Sequence, residues 1–272
     1  MDLKSFLYLA ALVVFAFGCR TFDSRLLQKL GWFSLLGASY WLAFMLTGSH
    51  VAGVCGVLAW FFLPLLEIAG RVRRLRFPMR NEIKGRFAPS REVFPELPDL
   101  TSEIEAAGFE EVEDAGWKWH EADHFLRLLY HAERRTQAAI SMSIQGDISF
   151  SYVNLTSRGK DGKIYTTSNY PFPPTMRFAP GQELNRCVMV ESFEALLASH
   201  EGFLQKHQVA VTELAEVDPE ELAVFLEREM NSQIDHNLEQ GLIERLGEGE
   251  FRYSWRGCFF LWLQVVKDML IA

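Results

Sequence analysis

Cysteine is scarce in this chain. Cys19, Cys55, Cys187 and Cys258 are the only four in 272 residues, and no two have the close spacing of a zinc-binding or redox pair. Two of them lie in apolar runs, so all four read as reduced structural residues rather than as a disulfide framework. No phosphate-cradling P-loop, dinucleotide glycine pattern or G-x-S-x-G nucleophile turn occurs either, which leaves nucleotide and serine-hydrolase chemistry without a sequence signature. A basic excess is also lacking. Formal charge is −8, and the first 70 residues hold four Lys/Arg against three Asp/Glu, so the acidic excess lies beyond them. An acidic body is repelled by phosphate, which argues against wholesale nucleic-acid binding.

Charge is nearly missing from Gly31 to Gly70, where Glu67 stands alone. Two apolar runs, Gly31–Gly48 and Val51–Gly70, are joined by Ser49-His50. At ~1.5 Å per residue, a run of about 18 residues crosses ~27 Å of hydrocarbon. The connector is too short and too neutral to be a domain, so the two runs form a membrane hairpin. Arg71, Arg73, Arg74 and Arg76 follow at once, and Arg20, Arg25 and Lys29 precede it. Lys and Arg accumulate on cytoplasmic flanks, so both ends of the hairpin face the cytoplasm and the Gly48–His50 turn faces out. Arg71, Arg73, Arg74 and Arg76 are accordingly expected against anionic lipid headgroups. A shorter apolar run, residues 5–19, reads as a first membrane helix with its N-terminus outside; a cleaved signal is the alternative. The expected localisation is a bacterial-type plasma membrane, with the soluble part inside the cell.

Residues 77–100, punctuated by Pro78, Pro89, Pro95 and Pro98, show no helical or strand period and read as a basic linker. A short helix is expected near Leu100–Phe109, with a Ser102-x-x-Glu105 capping box and Gly108 as its stop. Alternating apolar residues then predict strands at Leu126/Leu128/Tyr130, Ile140/Met142/Ile144, Ile148/Phe150/Tyr152 and Ile164–Asn169, joined by tight turns into an antiparallel meander that ends at Pro171, Pro173 and Pro174. Ser192–His207 puts Phe193, Leu196, Leu197, His200 and Leu204 on one helical stripe. Asp218-Pro219-Glu220-Glu221 is a helix start, and Gly241 a stop. The expected fold class is thus a membrane-anchored α+β protein: membrane helices within 1–76, an α+β soluble domain over 101–212, and a helical segment over 213–272.

Within that last segment, Gly241–Leu246, Gly247–Glu250, Phe251–Gly257 and the apolar helix that follows run in the order strand, tight turn, strand, helix. This resembles the wing half of a winged-helix domain, over about an eighth of the chain. The resemblance implies a small C-terminal winged-helix-like unit. Asp235, Glu239, Glu248 and Glu250 stand where a DNA-binding member would need phosphate contacts, so the implied use is packing or partner binding rather than DNA binding. The helix from Cys258 to Ile271, about 14 residues or ~21 Å long, is too short to span a bilayer, yet it is apolar on almost every side and must be buried in the core, against a second subunit or at the membrane surface. One face is expected in the soluble core, leaving Phe259, Trp262 and Val266 as a partner surface, most simply for a second copy of the chain.

One stretch has the residue types of a metal site. His120-Glu121-Ala122-Asp123-His124 has the form H-E-x-x-H, in which two His one helical turn apart ligate zinc and the Glu polarises water. Asp123 puts a charge between the histidines, no third ligand falls at a suitable spacing, and the segment leads into a strand pattern, where i and i+4 lie ~13 Å apart. A polar turn is the simpler reading. No cofactor is expected, and the functional expectation is a membrane-anchored interaction or assembly module rather than an enzyme. The alternatives are a zinc hydrolase on His120, Glu121 and His124, or a membrane-bound winged-helix regulator.

Overall fold

The computed structural model describes residues 3–22, 24–119, 122–146 and 148–271. The chain separates into two units, one made of 1–75 together with 253–272, the other of 76–252. The protein is α+β.

The first unit begins with α1 (Leu3–Arg20), α2 (Arg25–Thr47) and α3 (His50–Gly70). Two segments, Leu26–Thr47 and His50–Arg74, are long and apolar enough to cross a membrane; α1 is shorter and packs on α2. The hairpin turns at Gly48, whose left-handed φ of 71° a side chain would strain. Close approach of α2 and α3 depends on two glycines. A Cβ at Gly53 would lie 2.6 Å from the Tyr40 ring, and one at Gly56 would lie 3.0 Å from the Ser39 carbonyl. Polar side chains between the helices are satisfied internally, as an apolar surrounding requires. Trp60 Nε1 donates to Ser39 Oγ at 2.8 Å, Ser39 Oγ donates to the Leu35 carbonyl, and the Tyr40 hydroxyl meets His50 Nδ1 at 2.7 Å.

The second unit contains two sheets. Its strands are β1 (Phe77–Pro78), β2 (Lys84–Gly85), β3 (Glu110–Trp119), β4 (Ala122–His131), β5 (Thr136–Gln145), β6 (Ile148–Arg158), β7 (Ile164–Ser168), β8 (Gln182–Arg186), β9 (Ile243–Leu246) and β10 (Glu250–Tyr253). The large sheet runs β2 to β8 in sequence order, antiparallel as far as β7, while β8 joins β7 in parallel. The expected end of the sheet at Pro171–Pro174 is therefore corrected. The prolines lie in a crossover, residues 169–181, that brings the chain back to add one more strand. The acidic strand β3 gave no apolar alternation; its Asp114 lies directly opposite Arg127 of β4, which binds it through two hydrogen bonds of 2.8 Å and also pairs with Glu111.

Helices α4 (Leu97–Ala106), α5 (Phe193–Lys206) and α6 (Leu222–Glu239) cover the sheet. Ile104 of α4 and Phe193, Leu196 and Leu197 of α5 pack on Leu129, Ile140, Val153 and Leu155 on one face. On the other, Leu222 packs with Leu126, Leu128, Tyr130 and Ala139. The α5 stripe is buried at all five expected positions. Helix α4 starts earlier than the Ser102 capping box suggests, because Pro98 sits in its first turn and supplies the start.

The segment read as a linker is instead strapped to the domain. Phe77 and Pro78 pair with Phe251 and Glu250 in the small sheet β1-β10-β9, and Lys84 and Gly85 pair with β3. Between them, Asn231 Oδ1 accepts the Asn81 N–H, a Glu227 carboxylate oxygen accepts the Ile83 N–H, and Arg80 pairs with Asp235 at 2.9 Å. These partners belong to α6, some 150 residues away, so no local period could reveal them.

The last helix, α7 (Trp255–Ile271), follows β10 after one residue and belongs to the first unit. It packs along α3: the Trp262 ring stacks on Phe62 with centroids 5.6 Å apart, and Trp262 Nε1 donates to the Phe61 carbonyl at 2.6 Å.

Candidate functional site

Four arginines leave α3 in quick succession, and the structure gives them different partners. Arg71 pairs with Glu67, one turn back, at 3.4 Å, with both side chains largely in solvent. The Arg73 guanidinium lies 4.4 Å from the Trp255 ring centroid, a cation–π contact. Arg74 is exposed. Arg76 pairs with Glu250 of β10 at 3.6 Å and keeps most of its side chain exposed. Arg71, Arg74 and Arg76 of the expected membrane-surface set are exposed, Arg71 and Arg76 each beside one carboxylate, while Arg73 lies over Trp255.

Of the metal-site candidates, His120 and Glu121 lie outside the described residues. His124 lies on β4, opposite Trp117, whose ring stacks on its imidazole at 4.7 Å. Burial against this wall, with Arg86 also nearby, holds its pKa below the ordinary range although Asp123 pulls the other way. Asp123 itself is engaged by Arg86 and by Lys118. The flanks are strands, not the helix that places H-E-x-x-H ligands on one side. Among the described residues no cluster of three His, Cys, Asp or Glu side chains could hold a metal ion.

The expected partner surface on α7 divides. Trp262 is engaged on α3, Val266 is half-buried, and Phe259 is 50% exposed. The expectation of a free stripe is corrected at Trp262, because the indole N–H finds a backbone acceptor on α3.

Two constellations were not visible in the sequence. In the first, His200 of α5 is 1% exposed and bridges two strands: Nε2 meets Ser157 Oγ at 3.0 Å and Nδ1 meets Thr167 Oγ1 at 2.9 Å, while Ser157 Oγ continues to Thr136 Oγ1 at 2.9 Å. A serine hydroxyl beside an imidazole has the parts of a nucleophile and base. Ser157 is completely buried, however, so no substrate reaches it and the network ties α5 to the sheet. Desolvation lowers the His200 pKa to about 4, so the ring is neutral at pH 7. In the second, Arg158 at the end of β6 is buried against α6. Its Nε donates to Glu229 at 2.6 Å, its Nη1 to Gln137 at 2.9 Å, and its guanidinium lies over Phe225.

An aromatic group sits where β6 begins and the crossover returns. Phe150, Tyr152, Tyr170 and Phe172 form a chain of ring contacts between 4.8 and 6.0 Å, with Ile148 and Phe172 substantially exposed beside them. Burial pushes the Tyr152 hydroxyl up to about 12, so it stays protonated throughout the physiological range. Half of this group comes from the strand alternation at Ile148/Phe150/Tyr152. The other half comes from the Tyr170-Pro171-Phe172 crossover, whose packing on that strand has no local signature.

No protein-family model matches the chain, and no curated protein or solved structure matches it either.

Proposed function

We propose that this protein is a membrane-anchored interaction or assembly module, with residues 76–252 held on the cytoplasmic side by helices at both ends. The observation that carries the reading is the tethering. Six residues separate α3 from β1, a single residue separates β10 from α7, and the two connecting strands are paired neighbours at Phe77 and Phe251. Both crossings between the units thus run through one small sheet, which ties the two tethers together. The excess of arginine after α3 supports the cytoplasmic side. Arg71, Arg74 and Arg76 are the exposed residues that would meet anionic headgroups, and a second copy or another protein is the partner class for the domain.

A non-enzymatic role is favoured because the Ser157–His200 pair is sealed in the core and His124 lies on a strand with its ring against Trp117. The competing zinc hydrolase is tested on the full chain purified in detergent, by metal analysis. Far less than one zinc per chain is expected. Stoichiometric zinc that disappears in His120→Ala would overturn the reading.

A further inference from the structure

We infer that α7 is a membrane helix that crosses the bilayer beside α3, so that the 76–252 domain is an insertion between two spanning helices and the far end of α7 emerges on the opposite side. The inference rests on the membrane reading of α2 and α3 and extends it to a helix whose length had argued against crossing.

Two contacts fix how α7 lies. At its start Trp255 stacks on Arg73, just beyond the end of α3. Seven residues later Trp262 bonds to the Phe61 carbonyl and stacks on Phe62. The two helices are therefore antiparallel. Phe61 lies nine residues before Gly70, the end of α3, which places Trp262 about 14 Å along the axis from that end, near the middle of a ~30 Å hydrocarbon layer. From Trp262 the helix continues nine residues to Ile271, about 14 Å further, which carries it toward the depth of the Gly48–His50 turn. Its 17 residues lie at the lower limit of spanning helices.

The occupant of its outer face follows from continuity. On α3, Leu58, Phe62, Leu63 and Leu66 are exposed, as side chains that face acyl chains would be. Along α7, among the described residues, Phe259 and Leu263 are exposed one turn apart beyond the Trp255 start, Phe259 with its ring against Trp262. A helix docked to the middle of a spanning helix has the same surroundings as that helix, so Phe259 and Leu263 meet acyl chains.

The test uses the full chain carrying one epitope appended after Ala272 and another inserted after Arg91, in the exposed turn before α4. Antibody access is measured on intact spheroplasts and again after permeabilisation. The expected result is full signal for the C-terminal epitope before permeabilisation and signal for the Arg91 epitope only afterwards. If both epitopes stay hidden until permeabilisation, α7 does not cross and the inference fails, while the cytoplasmic assignment of the domain stands. If the Arg91 epitope is accessible on intact spheroplasts and the C-terminal one is not, α7 crosses and it is the orientation under the proposed function that fails. Access to both from outside overturns the two together.

Discussion

Trp262 donates its indole N–H to the Phe61 carbonyl at 2.6 Å, three residues before Pro64 in α3. Pro64 has no N–H for the carbonyl of Trp60. The indole thus supplies a donor at the turn where the helix is least able to satisfy itself. Trp262→Phe keeps the stacking on Phe62 and loses the hydrogen bond, so unfolding of the full chain in detergent, followed by circular dichroism, should show a loss of about 1 kcal/mol. Trp262→Ala should cost roughly 3 to 5 kcal/mol. Equal, negligible effects would mean that α7 gains nothing from α3.

The hairpin gives a second prediction. Gly53→Ala places a methyl group against the Tyr40 ring and pushes the hydroxyl away from His50, and Gly56→Ala meets the backbone at Ser39, which cannot yield as a side chain does. Each should destabilise the hairpin by about 1 to 3 kcal/mol, the usual range for overpacking. Gly18→Ala, in a helix with open space around it, is the control and should cause no loss of thermal stability.

Acid stability should depend on His200. Its folded-state pKa is lowered to about 4 from 6.5, so below pH 6.5 the unfolded chain takes up a proton that the folded chain refuses. Stability is therefore fully present above pH 6.5 and falls as pH drops toward 4, with a slope approaching about 1.4 kcal/mol per pH unit from this group alone. Urea midpoints measured between pH 7 and 4 should show this slope in the native chain. In His200→Gln the slope should be flatter, although the variant is less stable at pH 7 through loss of the bonds to Ser157 and Thr167.

Arg158 and Glu229 form a buried pair in which each partner depends on the other. Glu229→Gln leaves the guanidinium without its counter-charge and should cost about 3 kcal/mol or more. The double variant Arg158→Met with Glu229→Leu should recover much of that loss, because apolar side chains of similar size need no compensation. Additive losses in a double-mutant cycle would show that the two residues act independently.

Local pattern was enough for the elements that bury one regular face. The α5 stripe from Phe193 to Leu204, the alternating strands β4 to β7 and the apolar hairpin of α2 and α3 each carry their period in contiguous residues, and the Asp218-Pro219 start and the stop near Gly241 bracket the 3-10 turn and α6. The sequence alone therefore determined an α+β chain with membrane-length helices. Other features exist only because distant segments meet. Strand β3 is acidic and becomes a strand when Arg127 lies across from Asp114; β8 needs β7 already in place beside it; and the stretch from Phe77 to Gly85 is held by β10, β3 and α6. His200 looked like one more position on a helical stripe until Ser157 and Thr167 closed around it. Helix α7, apolar all round, has no face to point with, and its partner is a carbonyl 201 residues away. A residue's own period says which side wants burial, but only the tertiary structure decides what it is buried against, because that choice depends on which segments the fold brings together.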